Sequence, residues 1–151
     1  MAKIEPIVGR YIWVPFEGEE YRIYYEEAGE GIPLVCLHTA GTDGREWRHQ
    51  LCSADINKNF RVIALDLPRH GKSIPPYDWY KENEEYKLTA DFYSGLLMAF
   101  CQELELDKPV LGILLMLGFC VFAPLGDSLA KLVLLPGRPR RLQRRFVFLQ
   151  R

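Results

Sequence analysis

The apolar positions of this chain follow two periods. Two segments near the amino terminus, Arg10 to Phe16 and Tyr21 to Glu27, are rich in Tyr, Ile and Val. They flank Glu17-Gly18-Glu19-Glu20, a separation that suits a β-hairpin with glycine in its turn. Three later runs, Pro33-Leu34-Val35-Cys36-Leu37, Arg61-Val62-Ile63-Ala64-Leu65 and Val110-Leu111-Gly112-Ile113-Leu114, show no polar alternation. Strands apolar on both faces belong to a parallel sheet covered by helices on each side. Elsewhere the apolar residues recur every fourth position: Phe92, Leu96, Phe100 and Leu104 follow Thr89, a candidate N-cap, with Asp91 in the first turn. Lys108-Pro109 is expected to stop that helix, and Trp47 to Leu51 predicts a shorter one. Strands that alternate with helices imply right-handed crossovers. The expectation is therefore an α/β fold: a mainly parallel, doubly wound sheet with the hairpin at one edge, strands at 33–38, 61–66 and 110–114, and the 88–106 helix packed across it.

Composition changes this picture at one end. With 151 residues, 48% hydrophobic and 26% charged, the chain can bury one core, and disordered and collagen-like classes are excluded. The net charge of −1 conceals a split: residues 1–127 hold all 20 acids and 12 of the 19 Lys and Arg, and everything after Asp127 is basic or uncharged. We therefore divide the chain into a domain at 1–135 and a basic, disordered tail at 136–151. Arg-rich Pro136 to Arg145 has the charge to meet nucleic acid or anionic lipid. A solvated end is the simpler reading, and no nucleic acid and no membrane are expected as partners. Residues 109–126 carry no charge, as a short transmembrane segment would, but Gly112, Gly118 and Pro124 interrupt them and buried core is expected. Cys36, Cys52, Cys101 and Cys120 lie far apart, each beside apolar residues, with no C-x-x-C pair and no secretory h-region. They read as buried thiols of a reducing, cytoplasmic protein.

In such sheets chemistry collects at the carboxyl ends of the strands. The first buried strand is followed by His38-Thr39-Ala40-Gly41-Thr42-Asp43-Gly44, a loop of small residues, and the second by Asp66-Leu67-Pro68-Arg69-His70-Gly71-Lys72-Ser73. "PLVCLHTAGTDGREW" followed by "FRVIALDLPRHGKS" resembles the amino-terminal half of an α/β-hydrolase, and "YRIYYEEAGEG" and "LELDKPVLG" extend the likeness to about residues 10–112. The family pattern has Gly where this chain has Thr39 and Arg69.

The resemblance implies an incomplete α/β-hydrolase fold and hydrolysis of a small ester or related acyl or C–C bond, with no cofactor and no metal. It makes Ala40 the backbone N–H donor of an oxyanion hole, with His38 and Thr39 shaping the substrate loop and Asp66 and His70 holding the following turn. It also exposes a gap. The family places a nucleophile on a G-x-S-x-G elbow after the fifth strand, and this chain reads Gly112-Ile113-Leu114-Leu115-Met116-Leu117-Gly118. Serine would stand at about Leu115 and glycine at about Leu117, and no His follows His70. Ser73, before Pro75-Pro76, reads as a loop hydroxyl, and Asp66 stands where a Walker A loop needs glycine, which opposes a nucleotide site. Ser128, in Gly126-Asp127-Ser128-Leu129-Ala130, is the remaining candidate nucleophile.

Activity is thus expected to be impaired, and the alternative is a non-catalytic binding protein that keeps the sheet. The oligomeric state is open. A reading frame shifted near codon 112 would produce the switch to a tail charged by Arg without acid, as would a natural basic extension. A sheet cut after the fifth or sixth strand would leave an unpaired apolar edge, hence aggregation.

Overall fold

The computed structural model describes residues 2–73, 89–115, 119–124 and 133–135, with side chains through residue 113. Strands β1 (Val8–Phe16) and β2 (Glu19–Ala28) form the hairpin, joined by Glu17 and Gly18, whose φ values of 51° and 81° meet the left-handed requirement of a two-residue turn. β3 (Ile32–Leu37) is followed by a 3-10 turn over Gly44–Trp47 and the single-turn helices α1 (Arg48–Leu51) and α2 (Ala54–Asn57). β4 (Phe60–Leu65), α3 (Ala90–Glu103), β5 (Val110–Leu115), β6 (Phe119–Pro124) and β7 (Val133–Leu135) complete the described elements.

The strands form one sheet in the order β1-β2-β4-β3-β5-β6-β7. Its centre is parallel: Val35 lies opposite Ile63 of β4 and Leu111 of β5. Burial explains this, because Leu34, Cys36, Val62 and Ala64 face one side with Trp47 and Leu51, while Val35, Ile63 and Leu65 face the other with Leu96, Leu97, Phe100 and Cys101 of α3. A strand whose two faces are both covered has no polar alternation to show. The sheet as a whole is mixed, since β2 pairs antiparallel with β4, β5 with β6, and β6 with β7.

Two local expectations need correction. α3 starts where its cap predicts, the Thr89 hydroxyl accepting from the Phe92 N–H at 3.1 Å. It ends at Glu103, ahead of Pro109, because Glu105 turns left-handed (φ 51°) and the N–H groups of Glu105 and Leu106 donate to the carbonyls of Gln102 and Cys101. That pattern closes the helix without proline. Cys52 is exposed, because the single-turn α1 buries Leu51 and turns the next residue outward; Cys36 and Cys101 are buried, and burial pushes the Cys101 thiol up to about 11. The sheet continues past β5, with β6 pairing along its whole length and β7 pairing with β6. Among the described residues, no helix is long and apolar enough to cross a membrane.

Candidate functional site

β3 is the point where the topology divides, for its first crossover leads to β4 on one side and β5 lies on the other. A crevice at the carboxyl end of such a strand is the natural place for a ligand. Here that end is Leu37, and the loop that leaves it is held at several points.

His38 is buried, and its two ring nitrogens have different partners. Nε2 accepts from the Leu67 N–H at 2.9 Å, and Nδ1 lies 2.9 Å from the Thr39 carbonyl, which only accepts. Those contacts select the neutral imidazole with its proton on Nδ1. His38 therefore ties the loop after β3 to the loop after β4, and its ring packs on His70 with centroids 4.9 Å apart. His70 in turn directs Nδ1 at the Pro68 carbonyl, at 2.9 Å.

Asp66, also buried, does more of the joining. Its Oδ1 accepts from the Gly44 N–H and its Oδ2 from the Lys72 N–H, both at 2.7 Å, and its carbonyl accepts from the Ser73 hydroxyl at 2.7 Å. The Ser73 oxygen accepts from the Tyr24 N–H at 2.8 Å. Ser73 is thus consumed in tying β2 to the turn after β4, which agrees with its reading as a loop hydroxyl. A side chain at Gly71 (φ 48°) would collide with the Asp66 carboxylate, so the glycine is required by a close approach. Arg69, where the family pattern has glycine, takes φ 64°.

The residue that the sequence did not single out is Glu46. Its Oε2 accepts from the Thr39 N–H at 2.9 Å and its Oε1 from the Thr39 hydroxyl at 2.7 Å. Burial, the largest single influence, pushes its pKa up, but the hydrogen bonds from Thr39 outweigh it and hold the carboxyl below its ordinary value. Asp43-x-x-Glu46 has the spacing of a capping box, which was the available signal. Asp43 does cap the 3-10 turn by accepting from the Arg45 N–H at 3.0 Å, but Glu46 reaches past the cap to Thr39. Asp43 is held below its ordinary value chiefly by the hydrogen bond from the Arg45 side chain.

With Thr39 held and Thr42 closing the turn through its N–H and hydroxyl on the Thr39 carbonyl, the Ala40 N–H has no acceptor among the described residues. Ala40 is exposed, and the next two residues, Gly41 (φ 82°) and Thr42, line an open cavity of about 460 Å³ with Glu46, Arg69 and His70. The structure thus brings His38, Thr39, Ala40, Asp66 and His70 together at one end of the sheet. Ser128 lies outside the described residues, as do Leu117 and the 136–151 tail. Leu115 is the last residue of β5 and pairs with Phe119, so the chain returns antiparallel where an elbow would turn into a helix. No group of three or more His, Cys, Asp or Glu side chains arranged to hold a metal ion occurs among the described residues.

Comparison with known proteins finds relatives of this chain among enzymes. The chain is 36% identical over 86 residues to epoxide hydrolase 4 of Mus musculus, covering 56% of this chain and 22% of that protein. It is 38% identical over 75 residues to the non-heme chloroperoxidase CPO-A1 of Kitasatospora aureofaciens, covering 50% of this chain and 26% of that one. Among solved structures, epoxide hydrolase VrEH1 of Vigna radiata superposes with a TM-score of 0.58 at 25% identity, over 74% of this chain and 33% of its own. Haloalkane dehalogenase DatA of Agrobacterium tumefaciens superposes with a TM-score of 0.52 at 28% identity, over 70% of this chain and 32% of its own. The chain therefore spans about a quarter of the length of these curated relatives and a third of these structures. The family model described as the alpha/beta hydrolase family matches residues 34–147, more than half of the sequence, and the chain belongs to that family.

Proposed function

We propose that this chain carries the oxyanion side of a hydrolase acting on a small ester or a related acyl or C–C bond, and that by itself it turns over such substrates very poorly. The observation that supports the first half is the exposed Ala40 N–H, left without an acceptor among the described residues and followed by Gly41 and Thr42, which line an open cavity at the carboxyl end of β3, while the N–H and hydroxyl of the preceding Thr39 are engaged by Glu46. A preorganised backbone donor of this kind stabilises the tetrahedral oxyanion of acyl transfer by about 3–4 kcal/mol. In this reading His38 and Thr39 shape the substrate loop, and Asp66 and His70 hold the turn beside it. The domain covers 1–135 with a basic tail at 136–151, and the reduced thiols belong to a cytoplasmic protein.

The pairing of Leu115 with Phe119 favours a second reading, a non-catalytic binding protein, because it puts leucine and a returning strand where the family needs a nucleophile on a strained turn. The two readings part on one measurement, pre-steady-state hydrolysis of p-nitrophenyl acetate by the purified chain. Removal of the nucleophile from a triad enzyme costs about a millionfold in turnover, while donor and binding retain about a thousandfold over water. We expect slow, linear product release with no burst, since no acyl intermediate accumulates on leucine. A stoichiometric burst lost in Ser128→Ala would make Ser128 the nucleophile and overturn the impaired-enzyme reading. A rate equal to that of buffer would leave the binding protein.

A further inference from the structure

We propose that Glu46 is the positioning residue of the oxyanion loop: its carboxylate clamps Thr39 so that the next amide, Ala40, is the one presented to a tetrahedral anion. The proposal rests on the reading of Ala40 given above. Adjacent amides in a turn compete for the same role, and between Thr39 and Ala40 what decides is which N–H is already spent. Thr39 spends its N–H and its hydroxyl on Glu46, at 2.9 and 2.7 Å. The Ala40 N–H stays free among the described residues, as does that of Gly41 beyond it, and Thr42 closes the turn on the Thr39 carbonyl.

Glu46 can do this because its own backbone is fixed from both sides. Gly44, two residues before it, donates to the buried Asp66. Trp47, immediately after it, is fully buried and donates through Nε1 to the Leu37 carbonyl at 3.1 Å, on the strand that launches the loop. The carboxylate is thus aimed back across the turn by a rigid support. A negative charge beside an oxyanion site is unfavourable in itself. Its retention makes sense if the two accepted hydrogen bonds matter more than the repulsion, and that balance gives the proposal opposite signs for two variants. Glu46→Ala removes both charge and clamp. Glu46→Gln removes the charge but keeps the clamp, because the amide oxygen can accept from the Thr39 N–H while its NH2 donates to the Thr39 hydroxyl.

The test uses the full 151-residue chain and phenyl methylphosphonate, an anionic tetrahedral probe, with neutral phenyl acetate as the ground-state comparison. Affinities come from NMR titration, and exchange of the Thr39 and Ala40 amides is followed in the same samples. We expect the Ala40 amide resonance to move on phosphonate addition in the wild type. In Glu46→Ala the phosphonate is expected to bind about tenfold more weakly and the Thr39 amide to exchange about tenfold faster, the loss of one charge-assisted hydrogen bond. Glu46→Gln is expected to bind it no more weakly than the wild type, and phenyl acetate to bind all forms alike. Should Glu46→Ala fail to fold, Thr39→Val, which keeps the N–H bond to Glu46 and deletes the hydroxyl's contacts with Glu46 and Thr42, is expected to show an intermediate loss. If the Ala40 resonance moves but Glu46→Ala binds the phosphonate as tightly as Glu46→Gln, the clamp is refuted while the donor stands. If Thr39→Val has to stand in, unchanged phosphonate affinity refutes the clamp in the same way. If the Ala40 resonance does not respond in the wild type, the donor reading falls and the clamp with it.

Discussion

The two ends of adjacent parallel strands, β3 and β5, leave the sheet in contrasting ways. β3 exits through buried His38 into a loop held by side-chain hydrogen bonds, with Asp43 capping, Gly44 approaching Asp66, and Glu46 holding Thr39. β5 exits at Leu115 and the next described segment, β6, returns antiparallel beside it. The first exit is held by polar side chains and the described end of the second by a neighbouring strand. Among the described residues, the first exit leaves the exposed Ala40 amide without an acceptor, whereas the second ends with Leu115 paired to Phe119. A parallel strand followed by a polar, glycine-bearing turn can build a site, whereas a strand followed by leucines that pair with another strand closes one.

The largest effect that would break this contrast is catalytic. Leu115→Ser combined with Leu117→Gly restores the residue types of the family's elbow, yet we expect no acyl burst on p-nitrophenyl acetate, because the serine would stand at the end of a strand already paired with Phe119. A burst from that double variant would show that the exit from β5 can still form the turn.

Next in size is Asp66. Asp66→Ala leaves the Gly44 and Lys72 amides without their acceptor, so unfolding free energy is expected to fall by about 3 kcal/mol. Asp66→Asn, which retains one acceptor oxygen, should cost about half as much. A denaturant titration of both variants reads these values, and an Asp66→Ala loss below that of a surface substitution would mean that the two loops are held elsewhere.

Acid should act on the same exit. Glu46 and Asp43 both have carboxyls held below their ordinary values in the folded chain. A folded-state depression contributes stability that is fully present above the unfolded value, about pH 4, and is lost as pH falls through the lower folded value. Melting temperature is therefore expected to decline below about pH 4, with a smaller decline in Glu46→Gln than in the wild type. Identical slopes would remove Glu46 from the acid response.

The smallest effects concern left-handed residues. Arg69 and Glu105 take φ of 64° and 51° without being glycine. Arg69→Gly and Glu105→Gly are each expected to raise stability by about 1 kcal/mol, since removing Cβ relieves the steric cost of that conformation. Loss of stability in either would place the value of that side chain in its contacts.

Much of this was legible in one sequence, and where legibility stopped is informative. Double-sided burial erases polar alternation, so the apolar runs at 34–37, 61–65 and 110–114 announced the three parallel strands. Thr89 announced its helix because a cap is a local hydrogen bond, and the loops after β3 and β4 were found because their small residues and histidines stand out from the strands before them. The end of α3 was misplaced because a left-handed Glu105 carries no sequence signature, and Cys52 was misjudged because its apolar neighbour, not the cysteine, faces inward.

What the sequence determined by itself is therefore whatever depends on near neighbours: strand and helix identity, the N-cap, the loop residues, and the absence of a serine at position 115. What only the tertiary structure decided is which of those groups spend their hydrogen bonds on one another. Gly44 lies 22 residues from Asp66, Leu67 lies 29 from His38, and Ser73 lies 49 from Tyr24. Even Glu46, seven residues from Thr39, could have served the ordinary cap its spacing suggests. It reaches Thr39 because buried Trp47, bonded to the Leu37 carbonyl, sets the direction of the turn. A donor becomes available to a ligand only when its neighbours are already satisfied, and that is a property of the packed chain.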